Sequence, residues 1–145
     1  MTHRISSLPA LARAVDAVPA SERHARAVAV VADALDLLVD PTGVAGDVGA
    51  VLLDERGTPG SRREAYRELA AVADSLDAAA AAARVEGDYA GYLAGFQAAR
   101  VVSALALLVA GGAAPSSAAL ADVVYEAVMV TGSDSAVLAR LTAEG

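Results

Sequence analysis

Apolar residues recur along most of the chain at helical spacing, and no stretch shows the strict two-residue alternation of a half-buried strand. From Ser7 to about Val18, Leu8, Leu11, Ala12 and Val15 keep that spacing behind a serine cap and Pro9. Pro19 ends the run, so a short helix is predicted over 7–18. A second helix is predicted from Ser21 to Val39, with Ala25, Val28, Ala32, Leu35 and Val39 on one stripe, closed by Asp40-Pro41-Thr42-Gly43. The pattern then weakens. Val44, Val48, Val51 and Leu52 remain in register, but Gly46 and Gly49 each cost about 1 kcal/mol of helix propensity relative to Ala. A short marginal helix is therefore expected over 44–54, followed by a loop over 55–61 that contains Gly57-Thr58-Pro59-Gly60.

Ser61-Arg62-Arg63-Glu64 matches a capping box, in which the serine hydroxyl and the glutamate carboxylate reciprocally satisfy backbone N–H groups, and it predicts a helix start. That helix runs through Tyr66, Leu69, Ala73, Leu76 and Ala80 to about Val85, where Glu86-Gly87-Asp88 breaks it. The next helix, from Asp88, carries Tyr89, Tyr92 and Phe96 on one face and Gly91, Ala94, Gly95 and Ala98 on another. After Arg100 it becomes apolar all round, the signature of a helix at the centre of a bundle. Gly111 to Pro115 ends it, Ser116 or Ser117 caps a helix to Val130, and Thr131-Gly132-Ser133 leads to a last helix ending near Ala143. The expected fold is an all-α, single-domain helical bundle over 1–145, of about six or seven helices around a central apolar helix near 89–110.

Charge placement suggests an arrangement. The Ser21–Val39 helix has Arg23 and Arg26 early and Asp33, Asp36 and Asp40 late, and the Ser61–Val85 helix repeats this with Arg62, Arg63 and Arg67, then Asp74 and Asp77. Both orders oppose the helix macrodipole, so antiparallel packing of the two, arginines beside aspartates, is expected.

Composition sharpens this picture. The 145 residues include 38 Ala, 16 Leu and 19 Val but only five aromatic residues, Tyr66, Tyr89, Tyr92, Phe96 and Tyr125. Each apolar contact is then small and helix axes must come close. Gly91-x-x-x-Gly95, with Ala94 and Ala98, is the face expected to make such a crossing, within the chain or across a dimer. The net charge of -7, with no basic cluster larger than Arg62-Arg63 plus Arg67, argues against nucleic acid as a partner. The absence of cysteine excludes disulfides, thiolate nucleophiles and Cys-ligated metals. The apolar run Val101–Ala114 falls short of the roughly 20 residues of a membrane span, so a buried helix and no membrane span are expected. The first thirty residues hold no continuous apolar core of a secretory signal, and a cytoplasmic location is expected.

Few groups offer chemistry. His3 and His24 lack a second ligand at metal spacing, no Gly-x-Ser-x-Gly elbow or Gly-rich phosphate loop occurs, and neither catalytic residues nor a cofactor are assigned. Asp33, Asp36 and Asp40 share a helix face and are the candidate ligands for a divalent cation, with Asp122 and Glu126 a second carboxylate pair; a solvated acidic face accounts for the same residues with nothing added and is the favoured reading. Tyr89, Tyr92, Phe96 and Arg100, with Gln97 adjacent, form an aromatic wall ending in a guanidinium that could hold an anionic amphipathic ligand, or be core with Arg100 paired to Glu126 or to another helix's Asp. The leading expectation is a noncatalytic interaction or regulatory module that binds itself, as a homodimer, or a protein partner through an apolar helix face. The alternative is a small-molecule-binding or enzymatic bundle using the aromatic and arginine cluster, with a divalent cation at the aspartates.

Overall fold

The computed structural model describes residues 8–38, 59–112 and 114–142. The helix expected over 44–54 and the loop up to residue 58 lie outside the described residues. The fold is an all-α helical bundle whose described part comprises α1 (Pro9–Ala17), a 3-10 turn (Ala20–Glu22), α2 (Arg23–Asp36), α3 (Pro59–Val85), α4 (Tyr89–Gly111), α5 (Ser117–Thr131) and α6 (Asp134–Thr142).

Local chemistry sets most boundaries. Proline after Val18 stops α1, whose apolar edge buries Leu11 and Val15. The α3–α4 turn is a Schellman motif: the Asp88 N–H donates to the Ala83 carbonyl at 2.8 Å and the Gly87 N–H to Arg84 at 3.1 Å, with Gly87 at φ +81°. Asp88 then caps α4 by accepting from the Gly91 N–H at 2.9 Å. Ser116, rather than Ser117, caps α5 by accepting from the Ala119 N–H at 3.1 Å, and Gly132 at φ +67° ends it. The α3 start differs from expectation. The helix opens at Pro59, so 59–61 are helical and Ser61 lies inside the first turn. Proline is well suited to a first turn because its absent N–H would have no partner there.

The second half of α4 is the centre of the bundle. Val101, Val102, Ala104 and Leu105 are fully buried, and α3, α5 and α2 all pack on this helix. α5 contributes Leu120, Val123, Val124 and Ala127, while α1 and α6 close the far side over α2 and α5. The first half of α4 is different: no residue from Tyr89 to Ala98 is buried. α5 ends beside it, where the Gln97 side-chain amide donates to the Val130 carbonyl at 3.4 Å, so beyond that point α3 is its main packing partner. By length and composition the 23-residue helix Tyr89–Gly111 could cross a membrane, with mean hydropathy 1.8 and 44% of the window buried within the bundle. The 14-residue apolar run had suggested a shorter apolar element, because Tyr, Gly and Ala before Arg100 add hydropathy without forming an unbroken run.

Two expectations are corrected. The buried stripe of α2 is Ala27, Val30, Val31, Ala34 and then Leu38, while Ala25 is exposed and Val28, Ala32 and Leu35 are half-buried. The helix is apolar over so much of its circumference that spacing alone did not fix the inward face; contact with α5, α4 and α6 did. The antiparallel pairing of α2 with α3 also fails. α3 docks on α4, and the charges go elsewhere: Arg26 pairs with Glu22, Asp33 with Arg140 of α6, and Asp77 with Arg100 of α4. Macrodipole polarity is a weak term beside apolar burial, and burial chose the neighbours.

The close crossing expected of the glycine face is present within the chain. A Cβ at Gly95 would lie 3.1 Å from the Ala80 Cβ and 3.4 Å from its Cα, so α3 and α4 touch nearly backbone to backbone. Gly95→Leu is expected to destabilise the fold by about 1–3 kcal/mol in urea titration, whereas Ala94→Leu, at an exposed neighbouring position, stays within about 0.5 kcal/mol.

Candidate functional site

The helical spacing of Tyr89, Tyr92, Phe96 and Arg100 places them along one side of α4. Tyr89 and Tyr92 have ring centroids 6.0 Å apart, and Tyr92 and Phe96 6.1 Å, both in tilted contact. Arg84, from the end of α3, lies over the Tyr92 ring at 5.3 Å, and the Arg100 guanidinium lies 5.4 Å from the Phe96 centroid. The aromatic wall ending in a guanidinium is therefore formed as the sequence suggests.

Its charge is already balanced. Arg100 donates to the Asp77 carboxylate at 2.5 Å and to the Glu126 carboxylate at 3.1 Å, joining α3, α4 and α5 at one point. Glu126 is 7% exposed, a buried acid that the guanidinium compensates. Both terminal nitrogens of Arg100 are thus taken by carboxylates, while its buried Nε has no hydrogen-bond partner among the described residues. What this arrangement does chemically is fix three helices at the edge of the dry core; the rings beyond it run out to solvent, with Tyr89 at 70% exposure.

The aspartate face of α2 is divided in the same way. Both oxygens of Asp33 accept from Arg140, at 2.6 Å from Nε and 2.9 Å from the second nitrogen, a two-point clasp between α2 and α6. The Asp33 hydrogen bond, and then its charge, hold Arg140 protonated beyond its ordinary value. Asp36 is exposed, and Asp40 lies outside the described residues. Among the described residues no three His, Asp or Glu side chains converge as metal ligands. Asp122 and Glu126 both have partners. His24 is half-buried, and its Nδ1 is buried without a hydrogen-bond partner among the described residues.

The sequence reading missed two features. One is the exposed apolar set at the free end of the α3–α4 hairpin, Val85 at 88% and Leu93 at 41% exposure beside Tyr89. The other is an open cleft of about 250 Å³ at the opposite end, lined by Arg62, Arg63, Tyr66 and Ala110. Neither left a local signal, since each depends on where α4 and α5 stop relative to α3. The Arg62-Arg63 pair was visible only as the densest basic cluster.

The Arg100 clamp makes a direct prediction for stability. Arg100→Met is expected to cost about 3–5 kcal/mol in denaturant unfolding, because it strips the guanidinium from a buried carboxylate. Adding Glu126→Leu should recover much of that loss, since a well-packed apolar pair avoids the desolvation cost altogether. Comparison of the chain with models of protein families, with curated proteins and with solved structures gives no match.

Proposed function

We propose that this protein is a noncatalytic helical interaction module that associates with itself, through the apolar free end of the α3–α4 hairpin. The observation that carries this reading is the exposure of Val85 at the end of α3 and of Tyr89 and Leu93, four residues apart at the start of α4, where α4 runs on past the end of α5. A folded chain gains by burying such a patch, and contiguous exposed apolar side chains rimmed by charge mark contact surfaces. Arg84, Glu86 and Asp88 supply that rim. Tyrosine is also a residue type that anchors interfaces, because its large ring is immobilised at low entropic cost.

The ligand-binding alternative, built on Tyr92, Phe96 and Arg100, has less support, since Arg100 is held by Asp77 and Glu126. The net charge of -7 favours a protein partner over nucleic acid.

Sedimentation velocity over a concentration series tests the proposal. The wild-type chain is expected to form a dimer, and Tyr89→Ser with Leu93→Glu should weaken it by about 30-fold or more while leaving the helical circular dichroism unchanged. A wild-type monomer at every concentration up to about 100 μM, well above a micromolar dissociation constant, would sink the self-association reading.

A further inference from the structure

We propose that the cleft between the first turns of α3 and the last turn of α4 binds a small phosphate monoester, its phosphate held by Arg62 and Arg63 and its organic group packed on Tyr66 and Ala110. The cleft holds about 250 Å³, below the roughly 300 Å³ at which drug-sized pockets begin, so the ligand is a small one.

The side chains converge for a helical reason. Tyr66 is four residues after Arg62 and three after Arg63, so the three share one side of the first turns of α3 and line the cleft together. Ala110, on α4, forms the facing wall, and being small leaves the space open. Arg62 is positioned by the end of α4. A Cβ on Gly112 would lie 3.5 Å from the Arg62 Cζ and 3.6 Å from one of its terminal nitrogens, so the guanidinium rests over a residue with no side chain.

Arg26, Arg100 and Arg140 are each neutralised by a carboxylate, whereas Arg62 and Arg63, like Arg13, Arg23, Arg67 and Arg84, make no ion pair among the described residues; of these unpaired arginines, Arg62 and Arg63 are the two that line the cleft. In a chain of net charge -7, two adjacent guanidinium groups with no carboxylate partner among the described residues at the mouth of a cleft are a local concentration of positive charge. A phosphate monoester carries close to two negative charges at neutral pH and three acceptor oxygens, which matches two planar, multi-donor cations better than a single carboxylate does. Tyr66 adds an aromatic surface and a hydroxyl at the same mouth.

Titration calorimetry at constant ionic strength, with phenyl phosphate, inorganic phosphate, benzoate and phenol as probes, tests the assignment. Phenyl phosphate is expected to bind saturably and more tightly than the other three. Arg62→Gln and Arg63→Gln should each weaken it by about tenfold or more. Arg13→Gln, an exposed position on α1, should leave it unchanged, and helical circular dichroism should be the same in all variants. Tyr66→Ala should bring phenyl phosphate down towards inorganic phosphate. Absence of saturable phenyl phosphate binding overturns the proposal, as does wild-type affinity in either arginine variant. Benzoate binding as tightly as phenyl phosphate overturns the phosphate assignment, and equal binding of phenol overturns the role of the arginines.

Discussion

The stretch of α4 from Ala99 to Val109 is enclosed by neighbours whose side chains are mostly alanine, valine and leucine, and every other feature of the bundle depends on how near those neighbours come. Dispersion falls off steeply with separation, so small side chains stabilise a core only when the helix axes approach closely. Gly95 against Ala80 is a point of close approach along the hairpin, and Gly111, where a Cβ would meet Pro115 at 3.2 Å, leaves similar room at the other end of α4. With α3 drawn in on one side and α5 on another, the buried apolar side chains among the described residues are all alanine, valine or leucine, with Tyr125 and Met129 packed partly buried against them.

That closeness leaves little room for a charge, and Arg100 sits where the room ends. On its C-terminal side α4 enters the dry core; on its N-terminal side the same helix is accompanied by α3 and then reaches solvent. A guanidinium at that boundary can meet a buried carboxylate from α5 and a partly exposed one from α3 at once. Such a cluster costs desolvation but tolerates few alternative arrangements, so it ties the register of three helices together. The two ends of the α3–α4 hairpin differ in chemistry: an apolar end at Val85, Tyr89 and Leu93, and a cationic end at Arg62 and Arg63.

Much of the helical skeleton could be read directly. Pro19, Gly87, Asp88, Ser116 and Gly132 act within a turn of their own position, through a missing N–H, a left-handed conformation or a side-chain cap, and the described helices stop and start beside them. The capping-box reading at Ser61 erred by one turn because Pro59 offers an equally good start just upstream. The face of α2 was misjudged because Ala25, Val28, Ala32 and Leu35 are as apolar as the residues that are actually buried. At the candidate site the aromatic and arginine alignment was legible from spacing, and so was the possibility that Arg100 pairs with Glu126. Its simultaneous hold on Asp77 was not.

The sequence by itself determined most of the places where the described helices begin and end (though not the starts of α2 and α3), that they are helices throughout, and that they must pack closely, since these follow from neighbours within a few residues and from side-chain size. Only the tertiary structure decided which faces are buried, which charges pair and which apolar groups remain outside. Arg140 finds Asp33 across 107 positions of chain, and Arg23 reaches the Pro115 carbonyl across 92. Pairings at such separations are settled by which large apolar surfaces dock first, because burial outweighs the about 0–1 kcal/mol of an exposed ion pair and leaves the charges to take the partners that docking brings within reach.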